Sequence, residues 1–269
     1  MIKFFRKIRK KLLADLPDGK AGNPPNGRTG KFGSYLIYAF GEIILVVIGI
    51  LIALSVNNWN QEKKDRKTGE EYLARIHRDL VQDTTNFRRI LISNKILRED
   101  IKGLLVSIYA GVDNIKQVQE MSKTFDDALD QVFITNDNTY KGMASSGALN
   151  LIHNMELKDE IVDLYSEYEQ NKALLSSISE WMISIVNRMD SETDFLKFGQ
   201  GVSDIFTTPE MLNEKDFAFI NNREDPKFKI LIRAISAAAF NQSVYSSYYH
   251  KLIKRSGAVL KRIDQELKK

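Results

Sequence analysis

The sequence predicts an all-α protein: one N-terminal transmembrane helix followed by an extracytoplasmic antiparallel bundle of about four helices. Three observations predict it. Residues 35–56 form an apolar run with a single charge, Glu42. Beyond that run, three long stretches repeat apolar residues every three to four positions, the spacing of one helix face. Finally, five prolines and fifteen glycines in 269 residues are too few for many short strands joined by tight turns.

The chain opens on a basic segment. Residues 1–34 carry nine Lys/Arg against Asp15 and Asp18, whereas residues 57–269 are almost balanced. The net charge of +4 therefore sits near the N-terminus, and no folded domain presents the basic face that nucleic acid requires. Within residues 1–16, Ile2, Phe5, Ile8, Leu12 and Leu16 recur at helical spacing. Lys3, Arg6, Lys7, Arg9, Lys10 and Lys11 lie between them. That pattern predicts a basic amphipathic arm lying on an anionic membrane surface. Residues 17–34, PDGKAGNPPNGRTGKFGS, read as a flexible linker.

Residues 35–56 are long enough to cross a bilayer. At about 1.5 Å per residue the run reaches about 33 Å, against a hydrocarbon core of about 30 Å. A soluble core helix of this length would show a polar face, and this one shows none. A cleaved signal peptide has an apolar region of about 7–15 residues, shorter than this run. The run is therefore expected to be a retained anchor, with its N-terminal side in the cytoplasm because that side carries the Lys/Arg excess. Trp59 is expected at the membrane interface. Ala39, Glu42, Val46, Gly49, Ala53, Val56 and Asn60 alternate spacings of three and four, so they share one helix face. Most are small, and Gly49-x-x-x-Ala53 is the spacing that lets two membrane helices approach closely. A carboxylate facing lipid is costly, so Glu42 is expected to face another helix within that stripe.

These same residues resemble a known family. MIKFFRKIR (Met1–Arg9), YLIYAFGEI (Tyr35–Ile43) and ALSVNNWN (Ala53–Asn60) are similar to segments of a family of uncharacterised bacterial single-pass membrane proteins, a domain of unknown function. A weaker similarity extends to TYKGMASSGALNLIHNMEL (139–157). The resemblance implies a retained anchor and carries no activity.

The outer region follows in order. The first seam runs Leu73, Ile76, Leu80, Asp83, Phe87, Ile90, Asn94, Leu97, Ile101, Leu104, Ile108. The second runs Leu157, Ile161, Leu164, Tyr168, Asn171, Leu175, Ile178, Met182, Ile185, Met189. The third runs Ile235, Ala238, Gln242, Tyr245, Tyr249, Leu252, Ser256, Val259, Ile263. A shorter helix is expected at 114–133, with connectors at 134–155 and 199–226 and a weak point at Thr68–Gly69. Ser145-Ser146-Gly147 marks a helix terminus. Asp83, Asn94, Asn171 and Gln242 interrupt the seams, as residues that fix register do. Trp181 is read as a core aromatic.

Motifs for chemistry are weak. Cysteine is absent, which excludes disulfides and thiolate sites. His77, His153 and His250 are not paired at metal-ligand spacing. HRDL (77–80) lacks the asparagine and glycine-rich loop of a kinase, and its Ile76 and Leu80 surroundings belong to a seam. The expected function is non-enzymatic and without a cofactor. The chain reads as a membrane-anchored scaffold, adaptor or accessory subunit in the bacterial inner membrane, meeting the lipid bilayer and either a second copy or another membrane protein. The alternative is an extracytoplasmic ligand-sensing domain that works with a separate transducer.

Overall fold

A computed structural model describes residues 30–129, 131–199, 201–208 and 210–268, with side chains from Ala39 onward. Among these residues there are five α-helices and no strand: α1 Gly30–Ala110, α2 Ile115–Leu129, α3 Asn138–Ser146, α4 Met155–Thr193 and α5 Pro226–Glu266. The chain divides into two compact units, Met1–Gln61 and Glu62–Lys269. The basic arm, with Lys3, Arg6, Lys7, Arg9, Lys10 and Lys11, lies outside the described residues. Part of the stretch read as linker, 30–34, is helical, because extending an apolar helix backwards adds a hydrogen bond for each residue fixed.

In the first unit, α1 carries an apolar stretch long enough to cross a membrane, and none of that stretch is buried. In the second unit the helix ends are fixed by local chemistry. Asp225 caps α5 by accepting from the Lys227 amide (2.8 Å), with Pro226 just inside the helix. Asn154 caps α4 through the Leu157 amide (3.2 Å). Gly147 ends α3 in the left-handed conformation (φ 74°), as its Ser-Ser-Gly sequence predicts. After α1 the chain reverses at Gly111 (φ 97°), where Asn221 pins the turn. The Asn221 amide donates to the Val112 carbonyl (2.8 Å) and its oxygen accepts from the Val112 amide (2.7 Å).

Cross-helix contacts give the topology. Arg262 meets Glu156 (3.0 Å), Tyr168 meets Ser256 (2.8 Å) and Ser179 meets Tyr245 (3.0 Å), so α4 and α5 run antiparallel. His77 meets Asp264 (3.1 Å) and Asn94 meets Ser246 (3.1 Å), so α1 also runs antiparallel to α5. The fourth strut descends beside α1 and is composite. It joins α2, an irregular stretch at 131–137, α3 and a 3₁₀ turn at Ala148–Leu151. The bundle is thus up-down-up-down, as expected, but its second member is not one helix.

Three expectations about the backbone of the bundle need correction. The short helix stops at Leu129 rather than 133, because Phe133 is buried from a non-helical backbone against Phe87 and Tyr249, ring centroids 5.9 Å from each. The connector 134–155 holds α3 and the 3₁₀ turn. The third correction concerns Thr68–Gly69, where α1 continues without a break. Gly69 is buried there, and a Cβ on it would overlap the Leu151 carbonyl, so the glycine serves close packing rather than a hinge.

All members of the three seams are buried except Ile90, Leu97, Ile178 and Ile185, which are half-buried. They form two apolar clusters. One surrounds Ile101, Phe125, Met182, Phe195 and Leu231; the other surrounds Leu80, Phe87, Leu164, Tyr168 and Leu252. Trp181 belongs to neither. It is 48% exposed and lies edge-on to Phe240, so the reading of Trp181 as a core aromatic is wrong. It sits one step off the Ile178–Met182 seam, on the outer flank of α4.

Candidate functional site

The candidate interaction stripe lies on the first part of α1. Ala39, Glu42, Val46, Ala53, Val56 and Asn60 are exposed and Gly49 is half-exposed. A Cβ built on Gly49 meets nothing within 4 Å. Large apolar neighbours share this exposure, from Phe40 at 67% to Val56 at 59%. Trp59 is exposed as well. An uncovered apolar surface on this scale marks contact with lipid or with another protein.

Between the two apolar clusters of the bundle lies a polar band. Asn94 donates to the Ser246 hydroxyl (3.1 Å) and accepts from Gln131 (3.2 Å). Ser179 bonds Tyr245 (3.0 Å) and reaches the Asn241 oxygen (3.5 Å). Asn171, Asn241 and Gln242 are buried, and among the described residues the amide nitrogen of each meets no acceptor. Two of the four seam-interrupting residues, Asn94 and Gln242, thus lie in this band, while Asn171 stands between Tyr168 and Leu175 inside the second cluster. Such groups penalise any slippage that would push them into either apolar cluster.

Asp83, the fourth, works elsewhere. It is buried on α1 and holds the irregular stretch 131–137: its Oδ1 accepts from the Asn136 backbone amide (2.9 Å) and side-chain amide (2.6 Å). Burial pushes its pKa up to about 6, against the pull of those two hydrogen bonds, with Asp79 and Asp137 raising it further. Lys141 meets Asp137 (2.6 Å) and Glu169 (3.0 Å) at the rim. Tyr165 and Tyr168 are held well above the usual phenol range by burial. Sequence reasoning flagged Asp83 but not Asn136, which stands in a stretch that reads as a connector.

Two open grooves complete the surface. One, of about 860 Å³, lies among the 203–215 turns and Ile115. The other, of about 690 Å³, runs between α1 and α5 and is lined by Arg98, Lys102, Val106, Tyr109 and Phe240 among others. Among the described residues, no group of three or more His, Asp or Glu side chains is placed to hold a metal ion. His77 pairs with Asp264 on the bundle surface, and HRDL is simply one turn of α1.

A family model for a family of unknown function, DUF6090, matches residues 42–220. The chain belongs to the DUF6090 family. The matched region begins inside the apolar stretch of α1 and runs through α4 into the turns before α5, so in this DUF6090 member one family match takes in most of the apolar stretch and most of the bundle. No curated protein and no solved structure matches the chain.

Proposed function

We propose that this DUF6090 chain is a non-enzymatic membrane-anchored scaffold, adaptor or accessory subunit of the bacterial envelope. In this reading residues 35–56 cross the inner membrane, the basic arm stays in the cytoplasm and residues 57–269 lie outside. One contrast carries the reading: the bundle seams of the second unit are covered, while the stripe from Ala39 to Asn60 is not. An interface of small residues around Gly49 and Ala53 gives two helices close contact, and Glu42 supplies a hydrogen bond to hold it.

Site-specific photocrosslinking from residues 39–60 in native membranes tests this. Crosslinks to a second copy or to another membrane protein are expected. Glu42→Gln, which keeps hydrogen bonding, should retain them, and Glu42→Leu should weaken them. Absence of any protein crosslink along the stripe would sink the reading.

Ligand sensing is the second reading, and the unpartnered amides of Asn241 and Gln242 in the polar band favour it. A small polar ligand accepting from those amides would raise the melting temperature of the chain.

A further inference from the structure

The composite strut has a weakly fastened middle. Residues 131–137 join α2 to α3 as an irregular stretch, and Phe133 is its one buried side chain. Val132 and Ile134, on either side of it, are 61% and 72% exposed. Among the described residues, backbone-to-backbone hydrogen bonds reach this stretch only at its ends. The Gln131 amide donates to the Leu129 carbonyl (3.0 Å), and the Lys141 amide donates to the Asp137 carbonyl (2.9 Å). Three hydrogen-bonded contacts fasten the stretch to the long helices. The Gln131 side chain donates to Asn94, the Tyr249 hydroxyl donates to the Val132 carbonyl, and Asn136 donates its backbone and side-chain amides to Asp83. A segment with one buried apolar anchor and few hydrogen bonds opens at lower free energy than the helices around it.

Of these fastenings, the Asp83 clasp carries a charge that pH can change. Its carboxyl is on α1 and 1% exposed. The neighbouring charges that act on it are Asp79 from α1 and Asp137 from the strut, both negative. Lys141 of α3 is engaged by Asp137 (2.6 Å) and by Glu169 of α4 (3.0 Å). From α4, the phenols of Tyr165 and Tyr168 face the carboxyl, both held protonated by burial. The Tyr165 hydroxyl meets no hydrogen-bond partner among the described residues, so it does not solvate the charge. From α5 this layer presents Tyr249 and Ser256, the latter bonded to the Tyr168 hydroxyl (2.8 Å). Arg255, next to Ser256, is paired with Glu167 of α4 (3.8 Å).

Once ionised, Asp83 is a buried charge beside two like charges, with Asn136 as its donor and no cation paired to it among the described residues. Water reaches the carboxyl when the stretch lifts, so lifting and proton loss favour each other.

We propose that residues 131–137 are a strap over the Phe87 core, closed while Asp83 is protonated and released when it ionises. Release uncovers Phe87, Tyr168 and Tyr249, the three rings on which Phe133 lies. The bundle thereby gains a local response to pH, independent of what the membrane stripe meets.

Hydrogen–deuterium exchange of the full chain in detergent tests this through the Asn136 amide, which Asp83 holds. After correction for intrinsic exchange, its protection should fall about twenty-fold from pH 4.5 to pH 7.5. That size follows from a carboxyl that keeps its proton to about pH 6 under the closed strap and ionises near 3.8 once water reaches it. At both pH values this amide should be at least about a hundred-fold less protected than those of Leu164 and Leu252, in the buried cores of α4 and α5. Asp83→Asn keeps the accepting oxygen and removes the titration, so its Asn136 protection should change by less than about three-fold over the same range. Circular dichroism checks that the variant keeps its helix content, and the pH profile of the parent tests the proposal without it. Protection at Asn136 that is independent of pH, or that falls equally in Asp83→Asn, would overturn the proposal. So would protection equal to that of Leu164 and Leu252, because the stretch would then open only with the whole bundle.

Discussion

Phe87→Ala is expected to destabilise the bundle by about 3–5 kcal/mol, the range for emptying a buried aromatic site. The reason is its position. Phe87 is fully buried and packs against Phe133 (5.9 Å), Tyr168 (6.1 Å) and Tyr249 (5.1 Å), so one ring joins α1 to the composite strut, to α4 and to α5. Removing it leaves a void bordered by all four members, and three rings lose a shared partner. None of the three can collapse inward freely, since Tyr168 is held by Ser256 and Tyr249 by the Val132 carbonyl (3.3 Å). Urea unfolding of the full chain in detergent, followed by helical circular dichroism, reads the loss. Phe240→Ala, at an exposed position, is the comparison and should cost less than about 1 kcal/mol. A loss below about 1 kcal/mol for Phe87→Ala would show that the four members do not share this core.

Asp83 should make the fold weaken as pH rises from about 4 to 7. Its folded pKa, about 6, lies above the ordinary 3.8, so the native state holds a proton that the unfolded state releases. Stability from that proton is full below pH 3.8 and is lost as pH climbs through about 6. Protonation does not break the latch, because Oδ1 accepts the two shorter Asn136 hydrogen bonds, while Oδ2, which shares the Asn136 backbone amide at 3.2 Å, carries the proton. The charges around it are Asp79 from α1 and Asp137 from the strut, with Lys141 and Glu169 beyond Asp137. Asp83→Asn keeps the accepting oxygen and removes the titration. Measured against the parent, this variant should gain about 2 kcal/mol between pH 4.5 and pH 7.5. A difference that does not change across that range would show that Asp83 titrates normally.

Much of the fold is legible in the chain because long helices write their burial in one dimension. Leu73 through Ile108, Leu157 through Met189 and Ile235 through Ile263 each place a buried residue every three or four positions. The polar interruptions were visible for the same reason: Asn94, Asn171 and Gln242 fall on seams otherwise apolar. What the periodicity does not carry is pairing between distant segments. Phe133, Asn136 and Leu151 sit in stretches rich in Asn, Gly and Asp, and nothing local says that they pack on Phe87, Asp83 and Gly69. Gly69 shows the difficulty well, since a glycine that weakens a helix and a glycine that admits a neighbouring carbonyl look alike in sequence. Trp181 misleads because large aromatics on a helix are usually core, and only the flank on which it falls, beside Phe240, reveals an outward face. The stripe from Ala39 to Asn60 is legible as a pattern and is exposed in the single chain, apart from half-exposed Gly49.

The proposed topology anchors the chain once in the membrane, with its basic arm and its bundle on opposite sides. Labelling with a membrane-impermeant maleimide tests it most directly, since each introduced thiol is unique. In intact spheroplasts Lys158→Cys, on α4, should label fully, while Lys3→Cys should label only after lysis. Labelling of Lys3→Cys in intact spheroplasts, or protection of Lys158→Cys, would contradict the account.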